Sequence, residues 1–514
     1  MNKYIIIICC LFFYSPAIAE TSETSSVQIG KTKYIGIYDT ENNQFIFRGI
    51  PYAKPPIGEL RWKSPVPLSK EPKVINAQSF KPACMQDEYT TVWYQDVAEL
   101  FGNPRTVFQH VDAVSEDCLY LNIWTNSLDQ TSKKPVMVWV HGGADTGGWS
   151  YEPNYLGHHL ASKDVVVVSI NYRLNIFGFF AHPQMSNQTG NFGLEDEILA
   201  LQWVKDHIAA FGGDPENITY FGESAGGAHV SYLIASPMGK GLFKRGIIQS
   251  GAYNLFNWTS KDKAEELGLK TQTILNAPDL QTMKTLSAEN ILSASIDLNH
   301  PYGPNIDGAL IPNNLTNLFE EGSFNNVDLM IGSNKNEDYM YIDESVTEKD
   351  INRLIENYYP EYRDKILSWL DLEDPRLAMD HLTTNQVTLC PSVFIARSLS
   401  KNGNNVYQYH FTRMREGSEK ILSYHGAEIP YVFNTHDEWL PTNEDDTQLT
   451  EAMMEYWVEF AKKGTPNSIN NPTWKEFGTE ESYLILDLPL ESSAKLENEF
   501  CEIMIDEMLK RTSR

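Results

Sequence analysis

The chain has 514 residues, 42% of them hydrophobic and 12% aromatic, enough to bury a large core and too apolar for a disordered or fibrous protein. Its 68 acidic against 41 basic residues give a formal charge of −27, which argues strongly against nucleic acid or anionic lipid as a partner. The same surplus keeps an exported protein soluble and permits steering of a cationic substrate.

In chain order, Lys3 precedes an apolar run from Tyr4 to Tyr14, followed by Ser15-Pro16 and Ala17-Ile18-Ala19 before Glu20. These are the three parts of a secretory signal, with cleavage expected after Ala19 and export to the periplasm or beyond the cell. The run falls well short of the roughly 20 residues a bilayer span needs, and no later segment does better, so no membrane span is expected. Cys9 and Cys10 lie in the discarded part; Cys84, Cys118, Cys390 and Cys501 remain. An even number in an exported chain suggests disulfides, and four thiols allow three pairings. Proximity favours Cys84–Cys118, leaving Cys390–Cys501 to staple the C-terminal part. No close Cys-x-x-Cys or histidine cluster suggests a metal, and no cofactor is implied.

Pro135 to Val140 and Val165 to Ile170 are short, β-branched and almost wholly apolar, as strands buried on both faces should be. Leu194 to Phe211 carries a helical apolar stripe and ends at Gly212-Gly213. Ile218 to Phe221, Gly246 to Gln249, Leu329 to Ile331 and Val406 to Tyr409 read as further strands, and Ala225 to Ala235 as a helix. Residues 260–300 and 345–400 are helix-prone insertions. The pattern predicts an α/β fold with a central, mostly parallel sheet. Without a repeat or a long linker, 20–514 reads as one domain after a signal at 1–19.

Between the strand ending at Phe221 and the helix from Ala225 lies Gly222-Glu223-Ser224-Ala225-Gly226, a Gly-x-Ser-x-Gly turn. A serine there holds a strained backbone with its hydroxyl exposed, and glycines two residues either side let neighbouring chain pack close; Ser224 is the candidate nucleophile. Upstream, Val136 to Val140 runs into His141-Gly142-Gly143-Ala144, whose small residues let backbone N–H groups approach a substrate oxygen. Gly143, Ala144 and Ala225 are the candidate oxyanion donors, each worth roughly 3–4 kcal/mol in acyl transfer. An acid and a histidine should follow in that order. Glu337 lies just past the strand at Leu329–Ile331 and His425 in a later loop, although 68 acids and 12 histidines leave Asp338 and Asp307 open as alternatives to Glu337 on chemistry alone.

Further segments carry a resemblance. They include Phe47-Arg-Gly-Ile-Pro-Tyr-Ala53, Leu60-Arg-Trp62, Ser115-Glu-Asp-Cys-Leu-Tyr-Leu-Asn122, Asn171-Tyr-Arg173, Gly193-Leu-Glu-Asp196 and Phe211-Gly-Gly-Asp-Pro215. After these come Gln249-Ser-Gly251, Asn305-Ile-Asp-Gly308, Gly332-Ser-Asn-Lys-Asn-Glu337, His425-Gly-Ala-Glu-Ile429 and Trp457-Val-Glu-Phe-Ala461. From about Val27 to Met508 the chain resembles the type-B carboxylesterase and cholinesterase family of the α/β-hydrolase fold. The resemblance implies a gorge framed by the helical insertions, with a Ser224–Glu337–His425 triad at its base that hydrolyses small-molecule carboxylic esters through an acyl-enzyme. It also implies the Cys84–Cys118 and Cys390–Cys501 bridges, and structural ion pairs Arg48–Glu116 and Arg173–Asp196. Glu223 resembles a second carboxylate that cholinesterases keep near a bound cation.

Three positions depart from the family pattern. Asp145-Thr146 follows Ala144 where an aromatic residue is usual, and a carboxylate there must turn away, reshape the acyl side or attract a cation. Asp338 replaces the usual glycine after Glu337. The cholinesterase choline-binding tryptophan has no clear match; by spacing to Cys118, Phe108 lies nearest, with Trp93 and Tyr94 further back. Glu223, Phe108, Trp93, Tyr94, Tyr341 and Asp145 are therefore the candidate substrate contacts. A general carboxylesterase is the favoured reading over a cholinesterase, since aromatic residues line any apolar ester pocket. A lipase lacks an obvious long apolar lid, and a non-catalytic binding module of the same fold is disfavoured because all three triad residues are present.

Overall fold

The computed structural model describes residues 22–68, 73–108, 111–185, 187–255 and 258–512; the secretory signal expected at 1–19 lies outside them. The β-branched runs form the centre of a 13-stranded sheet. Val166–Ile170, Lys134–Val140, Gly213–Glu223, Arg245–Gln249, Asp328–Asn334, Val406–Phe411 and Ser482–Leu486 lie side by side in that order, each parallel to the next. Because successive side chains alternate faces, Val138 and Tyr220 enter the core on one side while Trp139 and Phe221 enter the core on the other. Helices cover both faces, which is why these strands read as continuous apolar runs.

Antiparallel strands extend both edges. Tyr120–Thr125, Gln44–Pro51, Thr32–Asp39 and Ser22–Ile29 continue the sheet beyond Val166–Ile170, and Glu491–Ala494 closes the other end. The helix read over Leu194–Phe211 is α-helical over Phe192–His207 and tightens into a 3₁₀ turn over Ile208–Phe211, where Gly212 takes a left-handed φ of 82°. The first insertion is a set of helices, Lys261–Ile274, Leu280–Thr285 and Ala288–Asp297, N-capped by Ser260, Asp279 and Ser287. The second includes Glu348–Tyr358, Pro375–Thr384, a π-turn at Asn385–Leu389 and Cys390–Lys401.

Both expected disulfides are present, with Cα separations of 5.0 Å for Cys84–Cys118 and 4.9 Å for Cys390–Cys501. The first closes the loop carrying the Tyr89–Leu100 helix; the second ties Cys390–Lys401 to the C-terminal helix Asn498–Thr512. Arg173 and Asp196 form a buried bidentate pair at 2.7 Å on each arm. The expected Arg48–Glu116 pair is corrected: Glu116 takes Arg61, at 2.6 Å from its Nε. Arg61 follows the turn at Gly58–Leu60 and also donates to Lys284 O and Leu286 O, whereas the Arg48 guanidinium lies 4.8 Å from the Phe80 ring centroid. Among the described residues no helix is long and apolar enough to cross a membrane.

The parallel strands all end at the same edge, so the loops that leave their carboxyl ends converge. Those loops carry His141–Gly148, Ser224, Glu337 and His425.

Candidate active site

Ser224 ends the Gly213–Glu223 strand and precedes the Ala225–Ala235 helix with φ 54° and ψ −124°, a conformation a non-glycine residue holds only where its surroundings enforce it. The enforcement is close packing. A Cβ on Gly226 would lie 2.2 Å from Val140 O, and one on Gly222 2.6 Å from Gly226 C, so neither position admits a side chain. Ser224 N donates to Gln249 O at 2.9 Å, and Ser224 O accepts from Ala228 N at 2.9 Å, clamping the turn to the next strand and the new helix.

The loop after Val140 folds back on itself: Thr146 N and Gly147 N both donate to Gly143 O, at 2.9 and 3.0 Å. Gly148 N donates to Gln86 Oε1 at 2.8 Å. Gly143, Ala144 and Asp145 take φ values of 99°, 55° and 58° in succession. This brings Gly143 and Ala144 to the wall of the same cavity as Ser224.

Glu337 lies three residues beyond Asn334 and is 1% exposed. Its Oε1 accepts from Asn334 N at 2.7 Å, and its Oε2 sits 2.6 Å from His425 Nδ1. Asn334 donates in turn to Tyr424 O and Glu428 Oε2, and Gln249 bridges Glu428 to Trp457 Nε1. The acid and the histidine loop are thus held by one buried network. Asp338 lines the same cavity; its N–H donates to Asp380 Oδ1 at 3.1 Å, and burial pushes its carboxyl up.

His425 Nε2 rests 3.2 Å from Glu223 Oε1, and among the described residues no hydrogen bond joins it to Ser224. Such contacts tighten in substrate complexes. Burial pushes the Glu223 carboxyl up; His425 opposes this, and Glu428 and Glu337 add to it. For His425, burial works against the charged ring, but Glu223 and Glu337 outweigh it and raise its affinity for a proton. The two shifts are coupled: as Glu223 takes up a proton, the imidazole loses one of the charges that hold its own. A carboxylate-oriented imidazole beside a strained serine can move a proton from that hydroxyl.

The cavity holds about 350 Å³. Trp93, Tyr94, Glu223 and Tyr341 line it, and Trp93 Nε1 donates to Tyr341 Oη at 2.8 Å. Phe108 does not line it: it is 5% exposed and stacks behind Tyr94, centroids 4.1 Å apart and rings 6° from parallel. Spacing counted from Cys118 measures distance along the chain and misses the layer that Tyr94 interposes. Asp145 also leaves the wall; its Oδ1 lies 2.7 Å from Nε2 of the buried His229, because a carboxylate leaving water finds its partner in a buried cation. Sequence reasoning missed Glu152, a buried carboxylate on the cavity wall that accepts from Tyr94 Oη at 2.6 Å and Trp149 N at 2.9 Å. Burial pushes its carboxyl up to about 7. An acid among Trp149, Tyr151 and Tyr155 was the one available signal. Among the described residues no cluster of three His, Cys, Asp or Glu side chains could hold a metal ion.

Comparison with known proteins sets this geometry in context. The carboxylesterase family matches residues 24–504. The chain is 32% identical over 532 residues to liver carboxylesterase 1 of Mus musculus, covering 94% of this chain and 92% of that one. It is 32% identical over 552 residues to liver carboxylesterase of Sus scrofa, covering 97% and 94%. It superposes on the solved structure of a PNB esterase with a TM-score of 0.80 at 29% identity, covering 93% of this chain and 99% of that one. A Geobacillus stearothermophilus carboxylesterase gives the same TM-score, identity and coverage. With an α/β-hydrolase sheet and matches running nearly end to end, the chain belongs to the carboxylesterase family and is a carboxylic ester hydrolase.

Proposed function

We propose that the protein is an exported serine esterase, a single domain over 20–514, that cleaves small neutral carboxylic esters through an acyl-enzyme on Ser224. The observation that carries this reading is the 2.6 Å Glu337–His425 contact on the same cavity as the strained Ser224. His425 Nε2 takes the Ser224 proton as Oγ attacks the ester carbonyl, and the resulting imidazolium is stabilised by Glu337 through Nδ1–H. The N–H groups of Gly143, Ala144 and Ala225 receive the oxyanion. His425 then protonates the leaving alcohol, and water repeats the sequence on the acyl-enzyme to release the acid. Two disulfides among the described residues fit an oxidising compartment, which supports export.

The experiment is Ser224→Ala against wild type on short-chain p-nitrophenyl esters and acetylthiocholine, at low and high salt. Loss of all turnover in the variant, with the fold retained, is the expected result, and an organophosphate should label wild type at Ser224 alone. Retained activity would refute the assignment. Choline esters form a second reading, supported by Glu223 and Trp93 on the cavity wall; it predicts thiocholine hydrolysis that weakens with salt.

A further inference from the structure

The departure at Asp145 leads to a group of charges outside the triad. His229 is fully buried on the Ala225–Ala235 helix and stands between two carboxylates. Its Nε2 is 2.7 Å from Asp145 Oδ1, an ion pair without hydrogen-bond alignment, and its Nδ1 is 2.6 Å from Glu197 Oε1. Glu197 is fully buried on the Phe192–His207 helix, and its Oε2 accepts from Tyr220 Oη at 2.6 Å. Aromatic rings enclose the imidazole, with Tyr172 at 5.0 Å and Phe179 at 5.8 Å between centroids.

We propose that Asp145, His229 and Glu197 are positioning residues that lock the two halves of the oxyanion hole together, with the His229 imidazolium cancelling the Asp145 charge beside the developing oxyanion. The inference rests on reading Gly143, Ala144 and Ala225 as that hole.

Three arguments support it. First, the hole is assembled from two separate segments, the loop at Gly143–Asp145 and the N-terminus of the Ala225–Ala235 helix, and the Asp145–His229 contact spans them directly. Second, Ala144 and Asp145 are non-glycine residues at φ 55° and 58°, a backbone that persists only when over-determined. Asp145 supplies two anchors for it: its carboxylate on His229, and its carbonyl, which accepts from Asn175 N at 2.6 Å. Third, an unpaired carboxylate one residue beyond Ala144 would oppose the negative charge formed in the reaction. Burial works against the His229 cation and pushes the Glu197 carboxyl up, but the contacts with Glu197 and Asp145 outweigh burial at the ring and favour its charged form. The Arg173–Asp196 pair shows the contrast, since it is as buried but the Arg173 guanidinium donates to Asp196, Lys63 O and Phe192 O.

The test uses Asp145→Asn, His229→Gln and the double variant, with turnover normalised to sites titrated by an organophosphate. Besides kcat and KM for p-nitrophenyl acetate, the readout is affinity for a trifluoromethyl ketone, which forms a tetrahedral oxyanion on the enzyme. His229→Gln leaves Asp145 unpaired and is expected to lower kcat per site at least thirtyfold, with KM within threefold and ketone affinity falling in proportion. Adding Asp145→Asn removes the stranded charge and is expected to restore kcat at least fivefold. A purely structural role would lower the melting temperature and the titratable fraction while leaving kcat per site and ketone affinity within twofold, and that result overturns the proposal. So does a double variant whose loss is the product of the single losses. If His229→Gln does not fold, Asp145→Asn alone decides: a parallel loss in kcat and ketone affinity supports the proposal, and wild-type values refute it. Turnover by Ser224→Ala would instead overturn the assignment of the hole itself.

Discussion

Replacing Glu223 by glutamine tests how the buried carboxylates tune His425. The perturbation removes a charge 3.2 Å from Nε2 and keeps the shape of the side chain. Two unit charges at that distance attract by about 5 kcal/mol at an effective dielectric of about 20, equivalent to nearly four pH units on the imidazole. The imidazole is 20% exposed and burial drives Glu223 towards its neutral form, so about one to two units is the expected net effect. The sign is fixed: Glu223 raises the His425 pKa, and in the proposed mechanism the neutral imidazole is the base. Its removal should therefore move the acid limb of kcat/KM to lower pH. The plateau should fall by no more than about tenfold, since Glu223 also stabilises the imidazolium formed in the transition state. The assay is kcat/KM for a neutral p-nitrophenyl ester from pH 4.5 to 9, normalised to titrated sites. An acid limb that stays within 0.3 units of about its wild-type position, or moves upward, would refute this account of the charge balance.

Glu337→Gln should lower kcat by about 10³–10⁴, because an amide that donates to Nδ1 leaves the proton on Nε2, the wrong tautomer for a base; a loss below tenfold in steady-state kinetics would contradict that role. Glu152→Gln should alter the pH dependence of stability. Burial raises this carboxyl from 4.5 to about 7, so the native protein loses stability as pH rises through that window, by at most about 3 kcal/mol. In denaturant titrations the variant should gain on wild type between pH 5 and pH 8, and an unchanged difference would count against the buried, protonated state. Opening the Cys84–Cys118 bridge with paired serines should cost about 4 kcal/mol in the chain-entropy picture. It should also raise KM more than it lowers kcat, since the loop it closes carries Tyr89, Thr90, Trp93 and Tyr94 to the cavity; equal KM in steady-state assays would show that the helix is held without the bridge.

What was legible in the sequence follows from how each residue is constrained. Val166–Ile170 is buried on both faces and therefore apolar throughout, a pattern visible without any partner. Thr32–Asp39 alternates between buried and more exposed positions in the edge region, as does the five-residue Ser482–Leu486 strand, so neither is buried throughout. The Gly-x-Ser-x-Gly turn is legible because contacts from Val140 and Gly226 exclude side chains at its two glycines. Glu337 and Asp338 are chemically alike as letters. They separate only in three dimensions, where Asn334 N and His425 claim the first and the second gives its N–H to Asp380. The mistaken Arg48–Glu116 pair is of the same kind: the path of the chain through Gly58–Leu60, which residue types do not encode locally, gives Glu116 to Arg61.

The departures from the family pattern are where the fold is most informative about this particular chain. Asp145 read in isolation is a defect, a carboxylate placed beside a developing anion. His229 read in isolation is a titratable residue on a fully buried helix, and Glu197 is an acid in the buried stripe of another. Any one of them alone, buried without the others, would be strongly destabilising, because an uncompensated charge in the core costs more than a packed apolar side chain contributes. Their burial in contact therefore predicts non-additive losses when they are removed singly and in pairs. Glu223 and His425 follow the same logic, a carboxylate again adjoining an imidazole that would change charge in the proposed mechanism. On the proposed mechanism the fold thus carries two carboxylate–imidazole systems, one that would exchange its proton during the reaction and one whose fixed charge would hold the Gly143–Asp145 loop.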